Sequence, residues 1–141
     1  MHPDGLEELP AAECLRLMAT VPVGRIAYTR QAMPAVEPVN FTLDDGTVVF
    51  RTARGGKLAA ATLRAVVAFQ ADDLDPVTRS GWSVTVVGLA QEVTEPAEVA
   101  RLGRLDLETW APGTRDHIIR ITPEVVTGRR LHPAPRLTGP T

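Results

Sequence analysis

The chain has 141 residues, 44% hydrophobic and 23% charged, with a formal net charge of −2, which is the composition of one globular domain long enough to bury a core. The slightly acidic balance excludes a general nucleic-acid binder, and 4% aromatic residues leave too few rings for a single-strand stacking surface. The single cysteine, Cys14, rules out an intramolecular disulfide and a cysteine-built zinc site; His2, His117 and His132 lie too far apart for metal-ligand spacing, so no metal is expected.

No basic-then-apolar leader opens the chain and no apolar run approaches the ~20 residues of a membrane span, so a cytoplasmic protein is expected. The first element is a helix over Pro10–Ala19, with proline in its first turn and Cys14, Leu15 and Met18 on an apolar face. Cys14 reads there as a buried structural thiol. Val23–Thr29 is a strand in which Gly24 permits close packing. A second strand is expected over Ala35–Leu43, and Pro38 inside it demands a sheet edge or a bulge, because proline cannot donate to a ladder. Asp44-Asp45-Gly46 is a tight hairpin turn leading into the strand Thr47–Thr52.

That strand runs into Ala53-Arg54-Gly55-Gly56-Lys57, a basic glycine-bearing loop expected to open a helix near Gly56. Backbone N–H groups at a helix start, the positive end of its dipole and the lack of Cβ at glycine together suit a phosphate. Arg51, Thr52, Arg54 and Lys57 add charge and a hydroxyl. Arg51 and Leu58 stand where a Walker A loop needs glycine and Ser or Thr, and the Gly-x-Gly-x-x-Gly spacing is absent, so neither nucleotide fingerprint applies. An ordinary strand–turn–helix corner with solvated basic residues is the alternative.

Ala65–Ala71 is a short apolar strand, Asp72–Pro76 an exposed acidic loop, and Trp82–Thr94 a long valine-rich strand bent or bulged at Gly88. A helix is expected over Ala97–Thr109 behind Thr94-Glu95-Pro96, then a loop at Trp110–Gly113. The closing strand is expected over His117–Thr127, broken at Pro123, and the proline-rich tail is expected to be mobile. This divides the chain into a domain over residues 1–131 and a flexible tail over 132–141. Strands outnumber helices at hairpin spacing, which points to an antiparallel barrel or sandwich with a few helices.

Five motifs stand in order: Val-Gly-Arg-Ile-Ala at 23–27, Pro-Val-Asn-Phe at 38–41, Phe-Arg-Thr-x-x-Gly-x-Lys at 50–57, Gly-Trp-Ser-Val at 81–84 and Thr-Gly-Arg-Arg at 127–130. Through them the chain, over roughly residues 8–131, resembles the pyridoxamine 5'-phosphate oxidase-like family, the split β-barrels that bind flavin mononucleotide (FMN), and within it a small bacterial branch. The resemblance implies a mainly β, six-stranded antiparallel split barrel that forms a homodimer with two flavins between the subunits. It further implies that Phe50, Arg51, Thr52, Gly56 and Lys57 hold the cofactor phosphate. Pro38, Val39 and Asn40 would run beside the flavin ring, where the irregularity at proline leaves backbone groups free to pair with it, and Trp82 and Ser83 would approach the cofactor from the next strand. Trp82 reads equally as a core cover. Trp110 is left between flavin, partner and its own chain, and Arg129 and Arg130 between a solvated pair and a phosphate or substrate contact.

The chain also departs from that pattern. Vitamin oxidases of the family carry Trp-Gln-Gly followed by an Arg-x-His pair, whereas Val126–Leu131 here reads Val-Thr-Gly-Arg-Arg-Leu, without the aromatic residue, the glutamine or a histidine. The family's Arg-x-x-x-Leu-Lys segment is replaced by Ala35–Asn40. The expectation is a retained cofactor site with a changed substrate site: an FMN-dependent oxidoreductase acting on a small molecule, not a pyridoxamine phosphate oxidase. The alternatives are a reductase using the deazaflavin coenzyme and a non-catalytic flavin- or haem-binding module, His117 being the one histidine in an ordered segment. No arrangement for covalent catalysis stands out in the sequence.

Overall fold

The computed structural model describes residues 5–53, 64–105, 107 and 117–133. Their eight strands form one wholly antiparallel sheet. In chain order the elements are β1 (Leu6–Glu8), α1 (Ala11–Met18), β2 (Val23–Arg30), β3 (Met33–Asn40), β4 (Thr42–Asp44), β5 (Thr47–Thr52), β6 (Ala65–Asp75), β7 (Ser80–Glu92), α2 (Pro96–Gly103) and β8 (His117–Leu131). The spatial order is β3-β2-β6-β7-β8-β5-β4, with β1 added along β8. β1 and β4 are only three residues long; the remaining six are the strands of the expected split barrel, whose sheet curls around its core.

Alternation along the strands decides which side chains enter the core. Trp82, Val84, Val86 and Ala90 of β7 point inward with Val67, Phe69 and Ala71 of β6, Ile26 and Tyr28 of β2, and Phe50 of β5. Phe41 meets Phe69 edge-to-face, centroids 4.8 Å apart. α1 closes one end of this core with Cys14, Leu17 and Met18. Gly128 of β8 allows that approach, since a Cβ there would stand 2.5 Å from Cys14 Sγ. A second, smaller cluster of Val49, Leu102, Leu107 and Ile118 lies between α2 and the outer side of β5 and β8.

Pro38 lies on β3, an edge strand, as proline requires. The strand expected over Ala35–Leu43 is two: β3 starts at Met33, and the Phe41 amide leaves the ladder to donate to the Pro22 carbonyl, separating β4. Asp45 and Gly46 have φ of 47° and 76°, the mirror-image turn of tight hairpins.

Three expectations are corrected. The acidic stretch at Asp72–Pro76 is not a loop: β6 continues through Asp75, pairing Asp72 with Ser83 and Asp75 with Ser80. Its charges find partners, Asp72 with Arg25 and Gln70, and Asp75 with the amides of Val77 and Thr78. The helix expected to Thr109 ends at Gly103, where the amides of Arg104 and Leu105 turn to carbonyls three residues back, a tightening that follows glycine's poor helix propensity. Pro123 does not break the last strand. Gly88 pairs with Pro123 and Val87 with Val125, so Glu124 is the extra residue of a bulge and β8 continues to Leu131. The helix expected near Gly56, Trp110 and residues 134–141 lie outside the described residues.

Candidate functional site

The pairing registers assemble the outer face of the sheet into rows. One row crosses five strands as Val36, Ala27, Ala68, Val87 and Val125, each directly opposite the next. Val36 and Val125 are exposed, and so is Val66, which pairs with Leu89 one row over. Two residues along, the row becomes Pro38, Arg25, Gln70, Thr85 and Thr127, and the next holds Asp72, Ser83, Arg129 and Glu8. The face therefore grades from apolar to polar along the strands. Its polar part is cross-linked: Gln70 Nε2 donates to Asp72 Oδ2 at 2.7 Å and to Ser83 Oγ at 3.2 Å, and Arg25 Nη1 reaches Asp72 Oδ1 at 3.4 Å.

The bulge sets this arrangement. Before it, Ile118 and Arg120 of β8 face outward; after it, Val125, Thr127 and Arg129 do. Val126 packs on the core and Gly128 meets Cys14. A strict period of two would have turned Arg129 inward, and the extra residue reverses the parity.

Of the ten residues expected around a cofactor, Pro38, Asn40 and Ser83 lie on this outer face. Asn40 Nδ2 stands 3.5 Å from the Pro22 carbonyl. Val39, Phe50, Thr52 and Trp82 point to the inside: Phe50 and Trp82 belong to the main core, Val39 packs against it and Thr52 is buried. Arg51 stands on the outer side of β5, opposite Ile118 and beneath the end of α2. Gly56 and Lys57 lie outside the described residues.

Arg51 is the unusual group. Its Nη2 donates to the carbonyl of Gly103 at 3.3 Å, while its Nε is buried and, among the described residues, has no hydrogen-bond partner. A buried N–H on a cation costs free energy until an acceptor meets it, and an anionic oxygen is the acceptor that would suit it best. Nearby, Asp44 Oδ2 accepts from Arg101 at 2.8 Å and from Arg120 at 3.1 Å, and Glu98 accepts from Arg101 at 2.7 Å. This cluster fastens α2 to the β4–β5 hairpin and β8. Arg101, then Arg120, holds the Asp44 carboxyl below its ordinary range.

Two arrangements escaped the sequence reading. Glu92 and His117 Nδ1 are in direct contact at the ends of β7 and β8, beside Thr52, the register partner of His117. Twenty-five positions separate them in sequence, and only the ladder brings them together. The second was legible: one residue past Val126–Leu131 stands His132, so that Arg130-Leu131-His132 does have Arg-x-His spacing. Both ends are occupied by acids. Arg130 Nη2 reaches Glu13 Oε1 at 3.3 Å, His132 Nε2 lies 2.8 Å from Glu7 Oε2, and the His132 amide donates to the Gly5 carbonyl. His132 keeps the Glu7 carboxyl below its usual range. Cys14 is fully buried and burial pushes its thiol up, the inert structural thiol expected. No helix among the described residues is long and apolar enough to cross a membrane.

A curled antiparallel sheet wrapped around a helix-capped core is the split-barrel architecture. The family model for pyridoxamine 5'-phosphate oxidase matches residues 10–130, and the chain belongs to that family. An uncharacterized protein of Mycobacterium tuberculosis, Rv0080, is 46% identical over 129 residues, 88% of this chain and 84% of its own length. Among solved structures, the FAD binding protein from Mycobacterium smegmatis is 40% identical with a TM-score of 0.77, covering 88% of this chain and 97% of its own. A conserved protein of unknown function from Corynebacterium diphtheriae is 30% identical with a TM-score of 0.76, over 91% and 99% of the two chains.

Proposed function

We propose that the protein is a flavin-dependent oxidoreductase acting on a small molecule, with the phosphate of FMN seated at the end of β5. The observation that carries this reading is the buried Nε of Arg51, without a partner among the described residues, which a phosphate oxygen would satisfy. Family membership and the FAD-binding relative from Mycobacterium smegmatis support it. The deazaflavin coenzyme carries a similar phosphate arm and is the alternative cofactor. A flavin supplies hydride acceptance and donation. The residues of this chain supply position: Arg51 and the main chain of Thr52, with Gly56 and Lys57, would hold the phosphate, and Pro38, Asn40 and Ser83, with the main chain of Val39 and Trp82, would border the ring.

Two features support a homodimer with the cofactor between subunits. The apolar row from Val36 to Val125 presents a continuous stripe on a face that carries exposed valines, and such stripes mark contact surfaces. In addition, Arg51 pairs with Ile118 whereas Ser83 pairs with Arg129. Arg129 is eleven residues further along β8 than Ile118, about 36 Å of extended strand, well beyond the length of FMN. A cofactor touching both sets would take one from each copy.

Vitamin oxidation is not the reading, because Val126 and Thr127 replace the aromatic residue and the glutamine, and Arg130 and His132 are already engaged by Glu13 and Glu7. The test is equilibrium binding of FMN and riboflavin to wild type and Arg51→Gln. Loss of one charge-assisted contact predicts FMN binding weakened about 10- to 100-fold with riboflavin affinity unchanged. Equal losses for both ligands, or no flavin binding by wild type, would refute the proposal.

A further inference from the structure

We propose that the trough along the β1–β8 ladder binds a small monocarboxylate with an apolar body, held through its carboxylate by Arg129. The trough has a volume of about 630 Å³ and is lined by Leu6, Glu8, Leu9, Val126, Thr127, Gly128 and Arg129, a size common for small-molecule sites. Backbone pairing builds its walls: Leu6 opposes Leu131, Glu8 opposes Arg129, and the Leu9 amide donates to the Gly128 carbonyl at 3.0 Å. The trough is therefore formed before any ligand arrives. Leu6, Leu9 and Val126 give it apolar surface.

Its charge selects the ligand. Arg129 is exposed and its side chain makes no hydrogen bond or ion pair among the described residues, whereas its neighbour Arg130 is tied to Glu13. Glu8, the register partner of Arg129 on β1, is already engaged in an interaction of its own. A planar carboxylate matches the guanidinium fork in two parallel hydrogen bonds, while the nearby Glu8 carboxylate disfavours a second negative charge on the ligand. The bulge at Glu124 is what turns Arg129 into this space.

As a binding site the trough stands alone. As the substrate site of the enzyme it rests on the flavin reading, to which Ser83, opposite Arg129 and hydrogen-bonded to Gln70, connects it. The experiment is calorimetric titration of the full chain, with and without added FMN, using 1-naphthoate and its neutral counterpart 1-naphthalenemethanol. Wild type should bind the acid about tenfold more tightly than the alcohol. Arg129→Gln should abolish that preference and leave the alcohol's affinity unchanged, and Thr127→Trp, which fills the trough from an exposed position, should weaken both ligands. Melting curves check that both variants fold. Equal affinity of wild type for acid and alcohol, a preference that survives Arg129→Gln, or indifference to Thr127→Trp would each overturn the proposal. Discrimination between the two probes by a chain that binds no flavin would leave the trough standing and defeat the flavin reading alone.

Discussion

The same chemical change, glycine to alanine, should have opposite effects at Gly88 and at Gly103. A Cβ built on Gly88 would stand 1.9 Å from the Thr122 carbonyl oxygen, 2.8 Å from the Thr122 carbonyl carbon and 3.2 Å from Pro123 Cα. All three are main-chain atoms of β8, so no rotamer change relieves the clash. Carbon and oxygen come no closer than about 3.3 Å in ordinary contacts, so β7 and β8 would have to part by more than about 1 Å at the bulge. Overpacking of that kind costs about 1–3 kcal/mol, and a ladder hydrogen bond lost beside it about 1 kcal/mol more. About 3 kcal/mol in a chain of this size lowers the melting temperature by roughly 9 °C. Gly103, the last residue of α2, has nothing within 4 Å of the place a methyl group would take, and alanine there should stabilise by about 0.5 kcal/mol through its better helix propensity. Calorimetric or circular-dichroism melts of both variants against wild type provide the measurement. A Gly88→Ala protein melting within about 2 °C of wild type would show that the two strands do not meet in this register, and the outward placement of Arg129 would fall with it.

Asp44→Asn should destabilise the fold by about 1 kcal/mol at neutral pH, since Asp44 is mostly buried between Arg101 and Arg120. Its folded pKa is depressed, so the contribution is complete above the ordinary aspartate pKa near 4 and is lost as pH falls from there towards the folded value; urea midpoints measured from pH 7 downward should show a shallower acid limb in the variant. Cys14, fully buried with its thiol pKa raised, should react with a thiol reagent only on unfolding, and rapid stoichiometric labelling of the native protein would contradict the packing of α1 on β8. Val125→Asp places a charge in the exposed apolar row and should shift sedimentation from the proposed dimer towards monomer, whereas an unchanged sedimentation coefficient would locate any dimer contact elsewhere.

Local chemistry made the strands and the hairpin readable. Asp45-Gly46 can take the positive φ of a tight turn, Pro38 cannot sit in a central strand, and Gly88 marked the bulge. The misread segments were those whose local signal is overridden by partners distant in sequence. Asp72, Asp73 and Asp75 have loop composition, yet β7 lies beside them and Arg25 neutralises part of their charge. Pro123 has breaker chemistry, but the extra residue Glu124 absorbs it without ending the strand. For the site, the composition of Phe50–Lys57 signalled an anion, while the sorting of its side chains, Phe50 and Thr52 inward and Arg51 outward, follows only once the strand is paired. The contact of Glu92 with His117 has no local signature at all.

The bulge is where fold and function meet. β8 presents two outward sets: at its start Ile118 and Arg120 face outward beneath α2, and at its end Thr127 and Arg129 face outward beside Ser83. The first set has even numbers and the second odd, so a shift of parity must occur between them. Placing it at Pro123-Glu124 uses a residue with no amide to lose, and Gly88 on the facing strand leaves room for the displaced backbone. Deleting Glu124 would remove only the extra residue: Pro123 and Val125 would follow each other opposite Gly88 and Val87 in a regular ladder, and Thr127 and Arg129 would keep their outward placement.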